Sequence, residues 1–287
     1  IIPTVQMIGN GDLNPRTMEY SDHGKKTMEL LNAISMVIQE IVFILTPLIT
    51  WRFIMKRPLR TMGLPSFTKH TGDLLTGLLF GIVSMSFVFG AIVLSENAAV
   101  ETWTPHFSSG TIIYLLFFIL VGFAEEIYGR GFIMSTLRQT KSIPAVMIIS
   151  SVIFSIMHSA NSGISFTAYL NIALVGLLFA YMYLKSGSIW MSIGYHITWN
   201  YFQGNVFGFK VSGINTRGIW STVYDKNTIF NGGEFGPEGG IFVTAIILLG
   251  FFFVRWYYRD KHFDFLAEES EADVHSDPPD QNLQQND

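Results

Sequence analysis

Residues 111–134 read TIIYLLFFILVGFAEEIYGRGFIM, an apolar stretch that contains two adjacent glutamates and an arginine. A helix needs about 20 mostly apolar residues to cross the hydrocarbon core of a bilayer. Helices are the expected form there, because lipid offers no hydrogen-bond partners to the backbone. The stretch therefore predicts a membrane-spanning helix that places charged side chains inside the bilayer.

The composition of the whole chain agrees with a membrane protein. Of the 287 residues, 14% are charged, 49% are hydrophobic and 15% are aromatic, and the formal net charge is -4. An average soluble domain is about 25% charged. These values exclude a disordered chain and a basic protein that binds nucleic acid. The chain has no cysteine, which excludes disulfides, zinc–thiolate sites, iron–sulfur clusters and a cysteine nucleophile.

Seven segments have the length and composition of membrane spans. They cover residues 30–51, 74–94, 111–136, 143–160, 166–184, 188–208 and 240–257. The predicted fold is an all-α, polytopic membrane protein of about seven transmembrane helices, with its membrane domain at 30–258. We interpret the apolar start of the N-terminal segment, 1–29, as the remnant of an upstream span. The acidic tail, 259–287, is predicted to be disordered.

Lysine and arginine are concentrated in every second loop. They occur at 52–70, at 137–142, at Lys185 and after the last span, whereas 95–110 and 161–165 have none. The connector at 209–239 has three basic and three acidic residues. Basic loops favour the cytoplasmic side of a membrane. We therefore predict that the C-terminal tail is cytoplasmic and that the connector at 209–239 is external.

Seven polar side chains within the predicted spans are candidates for a functional role. They are Glu40, Glu125, Glu126, Arg130, His158, His196 and Asn200. An ionisable group in a span costs about 3 kcal/mol on insertion scales, so each one is a candidate for function. Each also has a plainer explanation, as a structural ion pair, an interfacial residue or a contact between helices. The concentration of such groups in three segments favours function.

The spacing of these residues separates two roles. Glu126 and Arg130 are four positions apart, so they share a helix face and can neutralise each other. Glu125 points about 100° away and has no such partner on its own helix. With His158 it could activate water, while His196 and Asn200, also four positions apart, could supply donors to an oxyanion.

A metal site is the alternative use of the same residues. The carboxylate of Glu125 and the imidazoles of His158 and His196 are zinc ligands, and water bound to zinc becomes acidic near neutral pH. The spacing of these residues does not decide between a metal-dependent and a metal-free reaction.

Three motifs resemble the CAAX-protease and bacteriocin-processing (Abi) family of intramembrane proteases, which includes CAAX prenyl endopeptidases. They are Glu-Glu-Ile-Tyr-Gly-Arg at 125–130, Phe-Ser-Ile-Met-His at 154–158 and His-Ile-Thr-Trp-Asn at 196–200. Their order and spacing agree with the family. The resemblance covers about 110–210, and the neighbourhood of the third motif looks like bacterial members. Gly129 departs from the phenylalanine that the family usually has there, and we expect local repacking around it.

The resemblance implies a role for each motif residue. Glu125 and His158 would activate water, His196 and Asn200 would stabilise the oxyanion, and Glu126 and Arg130 would support the site. The family was named as metalloproteases, and a glutamate-based, metal-free mechanism is the competing view. The implied cofactor is therefore either none or one zinc ion. The implied substrate is a peptide or protein, prenylated or bacteriocin-like, at a prokaryotic cell membrane.

Two other classes of membrane protein could use the same buried groups. A transporter or channel would use them as a proton or ion relay, but the inverted repeats and broken helices of many transporters are not found in the sequence. A non-catalytic protein that binds a toxic peptide and gives immunity would be expected to lack a motif residue, and all are present. The sequence therefore favours an intramembrane endopeptidase.

Overall fold

The computed structural model describes residues 6–7, 10–14, 17, 19–216 and 218–267. The tail predicted to be disordered, 259–287, lies outside these residues from Glu268 onward. Most of the apolar N-terminal start lies outside them as well. The described chain is built almost entirely of helices.

The α-helices are α1 (Asp22–Ile49), α2 (Phe67–Leu94), α3 (Ser109–Glu126), α4 (Ser135–Leu137), α5 (Ile143–Met157), α6 (Phe166–Ser186), α7 (Trp190–Tyr201) and α8 (Ile241–Tyr257). Helices α1, α3 and α7 continue directly into π-helical segments at Thr50–Ile54, Ile127–Met134 and Phe202–Val206. Short 3-10 turns lie at Leu59–Met62, Arg138–Thr140, Gly233–Phe235 and Pro237–Gly239. Each predicted span falls on a helix, which confirms the all-α membrane fold.

Four helical segments are long and apolar enough to cross a membrane. They are Asp22–Ile54, Leu59–Leu94, Ser109–Thr140 and Phe166–Ser186. The first begins at Asp22 instead of near residue 30, because Ser21 caps the helix there through its hydroxyl, which accepts a hydrogen bond from the backbone of Gly24. The other three predicted spans are helical but shorter, so the predicted number of about seven includes segments of roughly 22–26 Å.

The helix that carries the paired glutamates extends well beyond them. Its 32 residues, Ser109–Thr140, measure about 48 Å, which exceeds the roughly 30 Å of the hydrocarbon core. The chain then reverses at Lys141, and α5 runs back. Glu125 precedes Thr140 by 15 residues, and Ile143 precedes His158 by 15. The hairpin therefore returns His158 to the level of Glu125.

Two loops that are predicted to be external lie together at one end of the helices. Strand β1 (Ala99–Thr102) pairs antiparallel with β2 (Ser221–Val223), so the loop at 95–110 contacts the connector at 209–239. These two strands were not predicted from the sequence. Their pairing agrees with the alternation that puts both loops on one side.

The basic loops lie together at the opposite end. The guanidinium of Arg138 donates a hydrogen bond to the carbonyl of Thr61 at 3.3 Å. The Lys261 ammonium lies 3.4 Å from the buried carboxylate of Asp73, which also accepts from the Tyr258 hydroxyl at 2.9 Å. The segment after the last helix is thus held against the basic end of the protein.

Helices α2 and α7 pack with their backbones in direct contact. A Cβ atom at Gly77 would overlap the backbone oxygen of Met191, and one at Gly194 would lie 2.5 Å from the backbone oxygen of Leu74. Small residues allow membrane helices to approach this closely. The contact fixes α7, the helix that carries His196, against the centre of the protein.

The substitution Gly77→Ala is expected to lower the thermal unfolding temperature of the detergent-solubilised protein. The added methyl group pushes α2 and α7 apart, and overpacking of this kind costs about 1–3 kcal/mol. Gly90→Ala in the same helix is the matched control, since its Cβ would have no heavy atom within 4 Å. The control should match or slightly exceed the wild type, and equal losses in both variants would contradict the close contact.

The sidedness of the two loop groups can be tested with single cysteines, because the chain has none of its own. Asp225 in the connector and Asp260 after α8 are both exposed. A membrane-impermeant maleimide should label Asp225→Cys in intact cells and Asp260→Cys only after permeabilisation. Labelling of both variants from the same side would overturn the predicted topology.

Candidate active site

The carboxylate of Glu125 lies between two histidines from other helices. The Nε2 atom of His158 is 3.9 Å from Oε2 of Glu125, and the Nε2 atom of His196 is 3.8 Å from the same oxygen. Glu125 belongs to α3, His158 follows the last residue of α5, and His196 lies in α7. The structure therefore brings the three sequence motifs together around one carboxylate oxygen.

The backbone fixes the orientation of the His158 ring. Its Nδ1 atom lies 2.9 Å from the carbonyl oxygen of Phe154, four residues earlier. A carbonyl only accepts hydrogen bonds, so Nδ1 must carry the proton. The neutral imidazole therefore presents the lone pair of Nε2 toward Glu125.

The second glutamate holds a buried arginine and the other histidine. Arg130 donates from Nη1 to Oε1 of Glu126 at 3.1 Å, and Nδ1 of His196 lies 3.2 Å from the same oxygen. Glu126 and Arg130 are both fully buried, with 0% and 1% of their surface exposed. The predicted i, i+4 pair is present, and it orients the histidine of α7 as well.

The guanidinium of Arg130 also contacts two aromatic rings. It lies 4.1 Å from the ring centre of Phe154 and 5.0 Å from that of Phe179. Cation–π contacts of this type stabilise a desolvated cation by about 2 kcal/mol. Phe154, the first residue of the second motif, thus packs against the charge that supports the site.

Asn200 lies one turn beyond His196 in α7 and is 7% exposed. Among the residues that the structure describes, its amide has no hydrogen-bond partner. Together with His158 and His196 it lines a cavity of about 50 Å³, which has room for a few water molecules. Glu125 does not line this cavity, but its carboxylate lies beside the two histidines.

Glu40 lies beside the site on α1. Phe43 and Tyr128 stack with their ring centres 4.8 Å apart. Helices α1 and α3 run in the same direction. Glu40 precedes Phe43 by three residues and Glu125 precedes Tyr128 by three, so the two glutamates lie at the same level. Glu40 is 5% exposed, and its Oε2 atom has no hydrogen-bond partner within the described chain. The structure thus buries this carboxyl group near the catalytic candidates.

The same site contains three candidate ligands for a metal ion. Glu125, His158 and His196 offer the donor atoms that zinc prefers, at bond lengths near 2.0–2.2 Å. Within the described ranges, however, no group of three or more such side chains is arranged to hold an ion. As placed, the three residues do not fit a metal.

The all-α fold with its long apolar helices indicates an integral membrane protein, and a carboxylate–histidine site is buried among these helices. Residues 107–202 match the model of the family described as type II CAAX prenyl endopeptidase Rce1-like. This confirms the family predicted from the three motifs, and all six predicted site residues lie within the matched segment. This third of the chain is therefore similar to CAAX-type endopeptidases.

One curated relative covers more of the chain than this segment. The uncharacterized protein YyaK of Bacillus subtilis strain 168 is 25% identical over 227 residues, which are 73% of this chain and 70% of the relative. No solved structure matches the chain.

Three further residues of the cavity were not singled out in the sequence. Asn171, Ser212 and Glu238 line it together with the predicted residues. The search for ionisable groups within spans passed over the neutral Asn171, and it treated Glu238 as part of an external loop. The glycine-rich run GGEFGPEGG at 232–240 was the available signal, because such runs favour close contacts of the backbone.

Glu126→Gln is expected to lower the stability or the yield of the protein. It leaves the guanidinium of Arg130 buried without its counter-charge, a defect on the order of 3–5 kcal/mol. The double variant Glu126→Gln with Arg130→Met should recover much of the loss in thermal unfolding experiments. Glu29→Gln, at an exposed position of α1, is the control. A double variant as unstable as the single one would contradict the proposed pairing energy.

Proposed function

We propose that this chain is an intramembrane endopeptidase that hydrolyses a peptide bond with water activated by Glu125 and His158. The carrying observation is that two histidine Nε2 atoms face one oxygen of Glu125 at 3.9 and 3.8 Å. These separations are too long for direct hydrogen bonds, and they suit a water molecule that bonds to two of the groups at about 2.8 Å each. The similarity to CAAX-type endopeptidases supports the proposal.

Glu125 and His158 can hold such a water in a reactive orientation. The ionised carboxylate and the Nε2 lone pair of neutral His158 are both acceptors. A water that donates one hydrogen to each keeps its own lone pairs free to attack a carbonyl carbon. Glu125 takes a proton as the new C–O bond forms, and it returns this proton to the amine nitrogen when the C–N bond breaks.

His196 and Asn200 are the proposed donors to the oxyanion. The amide of Asn200 can donate directly, since it has no other partner within the described residues. In His196 the Nδ1 hydrogen is committed to Glu126, so Nε2 donates only from an imidazolium ring, which would face the carboxylates of Glu125 and Glu126. Loss of one oxyanion donor typically lowers kcat by about 10²–10³, which is the effect expected for Asn200→Ala.

The proposed substrate is a membrane-associated peptide or protein. Apolar and aromatic side chains make up most of the cavity lining, which suits the apolar segments of such substrates. A prenylated tail or a bacteriocin-like peptide is the substrate type that the family resemblance implies. The proposed location is a prokaryotic cell membrane with the C-terminus in the cytoplasm.

Glu125→Gln is expected to abolish cleavage almost completely, by at least about 10²-fold. Glutamine keeps the size and polarity of the side chain but cannot accept the proton of water. Expression and thermal stability should stay close to normal, because the buried guanidinium of Arg130 keeps its partner Glu126. Cleavage of a peptide library by the purified protein in lipid nanodiscs, followed by mass spectrometry, measures the effect.

Exposed Glu29→Gln serves as the matched control and should cleave like the wild type. A folded Glu125→Gln variant that keeps most of its activity would refute the role of Glu125. Stoichiometric zinc in chelator-washed active protein, lost together with activity in His196→Ala, would favour the metal-dependent alternative. Ion flux in proteoliposomes without any peptide cleavage would favour a transporter.

A further inference from the structure

The cavity beside the proposed catalytic residues has a second polar region. Glu238, Ser212 and Asn171 line it in addition to His196 and His158. Gln203, which donates a hydrogen bond to Glu238, follows His196 by seven residues on the same helical segment. This corresponds to about 10 Å along the axis, roughly the reach of a long side chain. The cavity thus leads from the proposed catalytic centre to a buried carboxylate.

Glu238 has only neutral hydrogen-bond partners. Its carboxylate accepts from the backbone nitrogen of Ser212 at 3.1 Å and from the Ser212 hydroxyl at 3.0 Å, and from the amide of Gln203. Two other charged residues of the same connector, Lys210 and Glu234, pair with each other. Across the described chain, no lysine, arginine or histidine forms an ion pair with Glu238. Buried carboxylates are normally paired with a cation.

The burial of Glu238 has an electrostatic consequence. It is 9% exposed, and this desolvation raises the pKa of Glu238 to about 7, although hydrogen bonds from Gln203, from Ser212 and from its own backbone oppose the shift. A cation brought next to this carboxylate would restore its ionised form. The other titratable groups of the cavity lining are Tyr195 and the two histidines, and the histidines lie at its catalytic end.

The connector does not need the charge of Glu238 for its attachment. The side-chain nitrogen of Asn171 donates to the backbone oxygens of Glu238 and Gly240 at 2.8 and 2.9 Å. The side-chain oxygen of Asn171 in turn accepts from the hydroxyl of Thr244. These bonds hold the backbone on both sides of position 238. The position of the carboxylate is therefore fixed, and the attachment of the connector does not depend on its negative charge.

We propose that Glu238 is a specificity-determining residue that binds a basic side chain, lysine or arginine, of the peptide substrate. The apolar walls, with Ile172, Val175 and Val243 among them, would contact the aliphatic stem, and Glu238 would pair with the cationic end. Substrates with a basic residue near the scissile bond are therefore preferred. This inference rests on the proposed endopeptidase function.

The test uses sets of matched peptides. Within a set, one position carries lysine, arginine, methionine or glutamate. From set to set, this position is moved along the cleaved sequence. The wild-type protein should prefer lysine or arginine over methionine by about tenfold or more in kcat/KM at one position. Glu238→Gln should remove this preference by lowering kcat/KM for the basic peptides, with the methionine peptide within about twofold of wild type. Glu234→Gln, on the same connector, is the matched control and should keep the preference.

Two further measurements keep the test decisive. The ratio of kcat/KM for lysine and methionine peptides should rise as the pH increases through about 7, because Glu238 then ionises. Effects of pH on the cleavage step itself are common to both peptides and cancel in this ratio. If Glu238→Gln fails to fold, Glu238→Asp keeps the charge on a shorter side chain and should retain a weaker basic preference.

Equal losses for basic and methionine peptides in a folded Glu238→Gln variant would overturn the inference, as would a wild type that is indifferent to the charge of the peptide. Either result leaves the proposed function intact if cleavage still depends on Glu125. A wild type that cleaves no peptide, or cleavage that survives Glu125→Gln, would instead refute the endopeptidase proposal itself.

Discussion

The buried carboxylate of Glu126 is the contact on which the rest of the site depends. One of its oxygens accepts hydrogen bonds from both Arg130 and His196. The arginine charge is offset there and covered by the rings of Phe154 and Phe179. Four helical elements, α3 with its π-helical extension, α5, α6 and α7, therefore converge on one ionic cluster. Such a cluster is costly to bury, and it fixes the histidine that faces Glu125.

Local spacing explains why part of the site could be predicted from the sequence. The pairs Glu126–Arg130 and His196–Asn200 are each four residues apart on one helical segment, so their shared faces follow from helix geometry. The depth of His158 in the bilayer does not follow from local spacing. It depends on how far the preceding helix runs past Glu125, and the sequence contains no strong stop signal before Lys141. A span counted from Ile143 as the edge of the bilayer puts His158 about 22 Å from that edge.

The contacts that could not be predicted are those between distant segments. Strands β1 and β2 are only 4 and 3 residues long, too short to give a pattern, and their pairing joins loops about 120 residues apart. Asn171 and Gln203 are neutral and did not enter a search for charged groups within spans. Asp73 fell just outside a predicted span, although α2 begins at Phe67 and buries it. Glu238 was assigned to an external connector, because a sequence does not show that a loop folds back between helices.

The short length of α5 has a consequence for the surrounding lipid. Its 15 residues measure about 22 Å, and Ile148, Ile149, Val152 and Ile156 on its surface are exposed. A lipid-facing helix shorter than the hydrocarbon core draws the bilayer thinner around it. The headgroup region is thereby lowered toward the end of α5, where His158 is located. The same helix that carries this histidine thus shortens the path by which bulk water reaches a reaction that consumes water.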